Sequence, residues 1–159
     1  MANARTITTA AESSGSDIRL SYVIARLDRA IRRGIDEVLQ PFGLTIPQFT
    51  TMSVLARRDG LSNAQLARRA YITPQSMNEV VLELERRGLL RRRPDADHRR
   101  ILRATLTPKG RSLLARCEGG VEEMEETMLS ALDADGRARI VGYLAACVHA
   151  LGAGLPDLE

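Results

Sequence analysis

Cap signals recur at close intervals through the middle of this chain and cut it into short helices, which narrows its folding options more than any other feature. Thr45 with Gln48, and Ser62 with Gln65, fit the capping box, in which a hydroxyl accepts from the N3 amide while the N3 side chain bonds back to the N-cap amide. Pro47 sits inside the first of these turns. Thr73–Pro74 and Thr107–Pro108 pair a cap with a proline at the first helical position, where its missing N–H costs nothing. The spacing predicts a helix to about Arg58, a second from Asn63 to about Ala70 and a third from Pro74 to Arg87. Asp59-Gly60, Tyr71-Ile72 and Gly88 separate them. Leu61 is expected in a very short strand.

A longer helix precedes this region. From near Asp17, apolar residues fall at Leu20, Ile24, Leu27, Ile31, Ile35 and Val38, the spacing of one helical face; Pro41 and Gly43 end it. After Gly88 the period changes. Leu89–Arg93 and Ile101–Leu106 read as strands around a polar turn, Pro94–Arg100, giving a β-hairpin with a basic tip. Beyond Pro108 a long helix carries Leu114, Cys117, Val121, Met124 and Met128 in heptad-like register. Leu132-Asp133 opens a last helix with Ile140, Leu144, Cys147 and Leu151, stopped by Gly152, Gly154 and Pro156. The fold class is mainly α with a small β-hairpin wing. It is a winged helix-turn-helix at 45–107 flanked by helical segments at 17–44 and 108–155. Residues 1–16, rich in Ala, Thr and Ser, are expected to be a disordered tail without the apolar segment of a secretory signal.

Composition bounds the chemistry. Apolar residues reach 44% but aromatics only 3%, so the core must rest on aliphatic side chains. The net charge of +3 is unevenly spread: Leu84 to Arg111 holds ten basic residues against three acidic ones, whereas Glu118 to Gly136 holds seven acidic and no basic residue. A basic centre beside an acidic arm suits a polyanion partner. Lys109 is the only lysine, and arginine's planar fork matches phosphate and guanine. Cys117 and Cys147 are too few for a disulfide framework and fall on apolar helical faces, as buried small hydrophobes do. His98 and His149 form no metal-ligand set, and no cofactor is expected. No grouping of nucleophile, base and orienter, and no glycine-rich phosphate loop, points to an enzyme. No apolar run approaches the ~20 residues that span a bilayer, so a soluble cytoplasmic protein is expected.

In a helix-turn-helix the second helix enters the major groove of duplex DNA. Here that helix begins at Thr73, with Gln75, Ser76, Met77 and Asn78 in its first turns. Gln75 and Asn78 suit two-pronged contacts to adenine, Ser76 a base or phosphate, and Thr73 or Met77 a thymine methyl. Ser62, at the start of the preceding helix, joins this set. At the hairpin tip, Arg99 and Arg100 can reach an adjacent minor groove, and Asp97 is expected to brace Arg99 by an ion pair. Arg91, Arg92, Arg93 and Arg103 are expected to face phosphates from the strands, and Arg86 and Arg87 to make backbone or structural contacts. Tyr22, Arg26 and Met52 are candidates for lining a ligand cleft. The competing reading is a winged helix used only as a protein-interaction module.

Five stretches resemble the MarR family of bacterial regulators: Leu-Ser-Asn-Ala-Gln-Leu-Ala (61–67), Thr-Pro-Gln-Ser-Met (73–77), Leu-Glu-Arg-Arg-Gly-Leu-Leu (84–90), Asp-His-Arg-Arg (97–100) and Leu-Thr-Pro-Lys-Gly (106–110). The resemblance implies a homodimer held by the first and last helices, binding double-stranded DNA, usually as a repressor on a near-palindromic operator. It also implies a small aromatic or phenolic effector between the dimer helices and the DNA-binding lobe. The chain departs from two branches of the family. Its first helix lacks the reactive cysteine of the peroxide sensors, and it lacks the tryptophan of the urate-responsive members.

Overall fold

A computed structural model describes residues 18–153. The expected tail, the Asp17 cap and the Gly154 and Pro156 stops lie outside the described residues. The chain divides into two compact units with the boundary after Gly34.

The first helix, α1, runs Leu20–Leu39. Its apolar residues up to Ile24 are exposed, among them Leu20, Val23 and Ile24, while Leu39 is fully buried. A single 3₁₀ turn, Gln40–Phe42, follows, and Gly43 closes it at φ 59°. That left-handed conformation is open to glycine at no steric cost.

Each internal cap forms as the spacing predicts. Helix α2 (Ile46–Arg57) starts on the Thr45–Gln48 capping box with Pro47 in its first turn. Strand β1 is Leu61–Ser62, and α3 (Asn63–Arg69) starts on the Ser62–Gln65 box. Helix α4 (Pro74–Arg86) is capped by Thr73. Strands β2 (Leu90–Pro94) and β3 (Leu102–Leu106) form the hairpin. Helix α5 (Pro108–Met128) is capped by Thr107, and α6 (Ala134–Ala150) by Asp133.

The sheet order is β1-β3-β2, antiparallel throughout, with Leu61 opposite Ala104 and Leu90 opposite Leu106. Pairing of period two then puts Leu90, Ala104 and Leu106 on the buried face. They join a core built from Leu39, Leu44, Met52, Leu55, Leu66, Met77, Val81, Leu84, Leu114 and Cys117. Each fully buried Leu contributes roughly 1.5–3 kcal/mol, so this cluster fixes where α3, α4 and the hairpin stand. Arg87 acts structurally, as expected: its guanidinium donates to the carbonyls of Gly43 at 2.7 Å and Phe42 at 2.9 Å.

Burial fades along α5. Leu114 and Cys117 are buried, Val121 and Met124 half-buried, and Met128 exposed. Helix α6 has no buried residue, and Val141, Tyr143 and Leu144 are exposed. The expectation that Cys147 is buried is therefore corrected: it is exposed, on a helix that buries none of its residues among those described. No helix of the described residues is long and apolar enough to cross a membrane.

Candidate nucleic-acid interface

Helices α3 and α4 are joined by a turn that leaves little freedom. The Ala70 N–H donates to Leu66 O at 2.9 Å, Ile72 N–H to Ala67 O at 3.1 Å, and Tyr71 between them takes φ 53°. A non-glycine residue in the left-handed region costs about 1–2 kcal/mol, so the packing on either side holds it there. Thr73 then starts α4. Its Oγ1 accepts from the Ser76 N–H at 3.1 Å and donates to Ser76 Oγ at 3.0 Å. Asn63, the first residue of α3, donates from Nδ2 to Pro74 O at 2.9 Å, tying the two helix starts together.

The first turns of α4 present Gln75, Ser76 and Asn78 to solvent. The N-terminal end of α4 adds the positive pole of its helix dipole, which favours phosphate. Met77 does not belong to this surface. It is fully buried, with Thr51 Oγ1 3.6 Å from its sulfur. Its position is set by the face it shares with Val81 and Leu84, four and seven residues on, which is the core face. Ser62 is half-buried with its hydroxyl engaged in the α3 cap, and the Thr73 hydroxyl is likewise committed.

At the wing, Arg93, Asp97, Arg99 and Arg100 are exposed. Two of the strand arginines expected to face phosphates are instead engaged by side chains of this chain. Arg92 shares the buried face with Ala104 and donates from Nε to the Glu85 carboxylate at 3.0 Å. That bond holds the Glu85 carboxyl below its usual range. Arg103 donates from Nε to Asp95 at 2.6 Å and from Nη1 to Gln65 at 2.9 Å. Arg91 reaches Thr105 Oγ1 at 3.3 Å. The expected Asp97–Arg99 ion pair does not form. The acid that braces the wing is Asp95, whose Oδ1 also accepts from the backbone N–H groups of Asp97 and His98 at 3.0 and 2.9 Å. Sequence reasoning missed Asp95, Arg103 and Gln65 as a group. The one legible signal was an Asp at the start of a polar loop, a residue that binds amides two and three positions on.

These bonds set the charge of Asp95. The Arg103 guanidinium, then the His98 and Asp97 amides, lower its pKa from the ordinary 3.8 to about 2. A depressed carboxyl stabilises the fold fully above its unfolded value, and that contribution is lost as pH falls through about 2. Carbon-13 NMR titration should place the Asp95 midpoint near 2, moving towards 3.8 in Arg103→Met. A midpoint of 3.8 in the parent protein would remove Arg103 as its partner.

The wing and the paired helices enclose a shallow groove of about 370 Å³, lined in part by Ser62, Asn78, Arg92, Arg100, Ile101 and Leu102. Three sequence-selected residues from separate elements (Ser62, Asn78 and Arg100) thus meet on one concave surface.

Comparison with known proteins agrees with this geometry. A family model described as the MarR family matches residues 42–101. The HTH-type transcriptional repressor Rv2887 of Mycobacterium tuberculosis is 39% identical over 118 residues, 74% of this chain and 85% of that protein. The chain belongs to the MarR family. Its fold matches the crystal structure of the M. tuberculosis MarR family protein Rv2887 in complex with salicylic acid, with a TM-score of 0.66 and 36% identity, covering 81% of this chain and 96% of that one. It also matches that protein's complex with DNA, with a TM-score of 0.68 and 34% identity, covering 80% and 96%.

In this MarR-family chain the ligand candidates separate. Tyr22 and Arg26 stand together and exposed on α1. The guanidinium carbon lies 6.0 Å from the ring centroid, and Nη1 is 3.4 Å from the phenol oxygen. Met52 is corrected as a cleft residue: it has no exposed surface and packs in the aliphatic core. Cys117 is also fully buried, and desolvation raises its pKa, which keeps it a thiol.

Proposed function

We propose that this MarR-family protein is a ligand-responsive repressor that binds duplex DNA as a homodimer on a near-palindromic operator, acting in the cytoplasm and performing no catalysis. The observation that carries this reading is the joint placement of two surfaces. The capped start of α4 shows Gln75, Ser76 and Asn78, and Asn78 shares a groove with Arg100 of the wing. Thr73 and Ser62 supply the caps of the two helices, and Arg93, Asp97 and Arg99 are exposed on the wing.

Dimerisation through the first and last helices is supported by apolar side chains that this chain leaves exposed: Leu20, Val23 and Ile24 on α1, and Val141, Tyr143 and Leu144 on α6. In a dimer the two α4 helices would lie in successive major grooves, about 34 Å apart. For the effector, the salicylic acid complex of the related Rv2887 protein supports a small phenolic acid. Tyr22 offers an aromatic face and Arg26 a cation for a carboxylate, a pairing suited to that class. A ligand that prefers the non-binding arrangement lowers DNA affinity by its differential affinity for the two states.

Selection of bound duplexes from a random pool, followed by sequencing, tests the reading. A two-fold symmetric motif is expected. An absence of duplex binding at low salt would reject it in favour of a protein-interaction module. The same pool tests Gln75. A bidentate adenine contact discriminates by roughly 1–3 kcal/mol, so Gln75→Ala should relax preference at one position of each half-site. Equal weakening on all sequences would remove its base-reading role.

A further inference from the structure

We propose that Arg103 is a positioning residue that locks the wing to the helix-turn-helix, so that the tip arginines and the first turn of α4 meet a duplex in one fixed arrangement. The inference deepens the DNA-binding reading and rests on it.

The lock is a run of hydrogen bonds from the wing tip to the α3 cap, joined through the Ser62–Asn63 backbone to one more bond on α4. At the wing tip the Asp97 and His98 amides donate to Asp95 Oδ1 at 3.0 and 2.9 Å. Arg103 Nε donates to the other oxygen of Asp95 at 2.6 Å. From the same guanidinium, Nη1 donates to Gln65 Oε1 at 2.9 Å, and that oxygen also accepts the Ser62 N–H at 2.9 Å in the α3 capping box. Beside Ser62, Asn63 carries the chain to Pro74 O at the start of α4. One planar cation thus spans the wing-tip carboxylate and the helix cap that leads to the recognition helix.

Local bonds alone do not set this angle. Asp95 N–H to Ile101 O and Ile101 N–H to His98 O, both 2.8 Å, shape the loop itself. Besides the core packing and the Arg92–Glu85 pair, the sheet joins α3 along the backbone through β1, which is only two residues long and ends with Ser62 opposite Arg103. The side chains of Arg103 and Asp95 are 33% and 15% exposed, so their bonds act in a partly desolvated setting where they strengthen. The span needs arginine. A lysine ammonium is a point charge without the rigid fork that reaches two fixed acceptors at once.

A double-mutant cycle on a pool-selected duplex decides the matter. Arg103→Met should lower affinity about tenfold in the parent, but less than about twofold when Arg99→Ala and Arg100→Ala are already present, since a misplaced wing without its cations has little left to lose. Arg103→Lys should recover less than half of the loss. Losses that multiply independently, or full rescue by lysine, would overturn the proposal. Should Arg103→Met not fold, Asp95→Asn runs the same cycle from the other end of the ion pair. Amide exchange gives a readout free of DNA: Asp95→Asn should speed exchange at Ser62 as well as at Asp97 and His98, and an unchanged Ser62 rate would overturn the lock. A parent protein that ignores every duplex would instead reject the DNA-binding reading, while the exchange rates would still decide whether the wing and α3 are coupled.

Discussion

Gly110→Ala is expected to lower the unfolding free energy by about 3 kcal/mol or more, read as a drop in the denaturation midpoint with an unchanged slope. Gly110 lies in the first turn of α5, where its N–H donates to Thr107 Oγ1 at 3.0 Å. That turn sits directly on the link between α4 and β2. Thr107 donates from its backbone N–H to Leu89 O at 3.1 Å and from its hydroxyl to Gly88 O at 2.7 Å, while Lys109 Nζ reaches Arg87 O at 2.9 Å. A methyl at position 110 would stand 2.0 Å from Leu89 O and 3.0 Å from its carbonyl carbon. These are backbone atoms that no rotamer change can move aside. Either α5 lifts off the hairpin and gives up the Thr107 bonds, or β2 shifts and opens the packing around Leu89, Leu90 and Leu106. Both routes exceed the ordinary cost of one extra methyl in a core. Gly119→Ala in the same helix is the control. Nothing lies within 4 Å of its added methyl, so only the gain in helix propensity, up to about 1 kcal/mol, is expected. Equal stability of the two variants would refute the close approach.

The largest functional loss should come from the wing tip. Arg99→Ala combined with Arg100→Ala is expected to weaken operator binding by about 100-fold at near-physiological salt and to flatten the salt dependence. Each phosphate contact removed takes about 0.9 from the log–log slope. Two arginines on each of two wings can therefore remove up to about 3.6. Both residues are exposed, and neither takes part in an ion pair among the described residues, so melting temperature should stay near that of the parent. If the arginines lie in a narrow minor groove, the loss is steepest on sites with A·T-rich flanks. An unchanged slope would show that the wing does not meet the polyanion.

The two variants probe different layers of information. The Thr-Pro-Lys-Gly stretch that opens α5 was legible as a helix start, because a hydroxyl and an amide three residues on find each other wherever the chain folds. That its glycine must be glycine was not legible, since the obstructing carbonyl of Leu89 comes from another element. The wing shows the same division. Strand, turn and strand followed from a change of period, yet the bracing acid is Asp95 and not Asp97. Which carboxylate reaches a guanidinium depends on the register that sets Arg93 opposite Arg103, and two acids two residues apart look alike in sequence. Met77 illustrates a conflict between two readings of one position. Its place among the first turns of α4 suggested the DNA surface, while its spacing with Val81 and Leu84 assigned it to the core, and burial of an apolar side chain prevailed.

By itself, the order of amino acids determined the helix caps, the helix-turn-helix followed by a wing, and the exposure of Gln75, Ser76 and Asn78. All of these arise from bonds and periodicities within a few residues, which need no knowledge of what lies across the molecule. Only the tertiary structure decided which arginines stay free for a polyanion and which are tied to side chains of this chain, with Arg92 on Glu85 and Arg103 on Asp95 and Gln65. It also decided that Met52 is sealed while Cys147 is not. The physical reason is that a side chain's partner and its burial are set by strand register and by the packing of distant elements, and no local pattern encodes either.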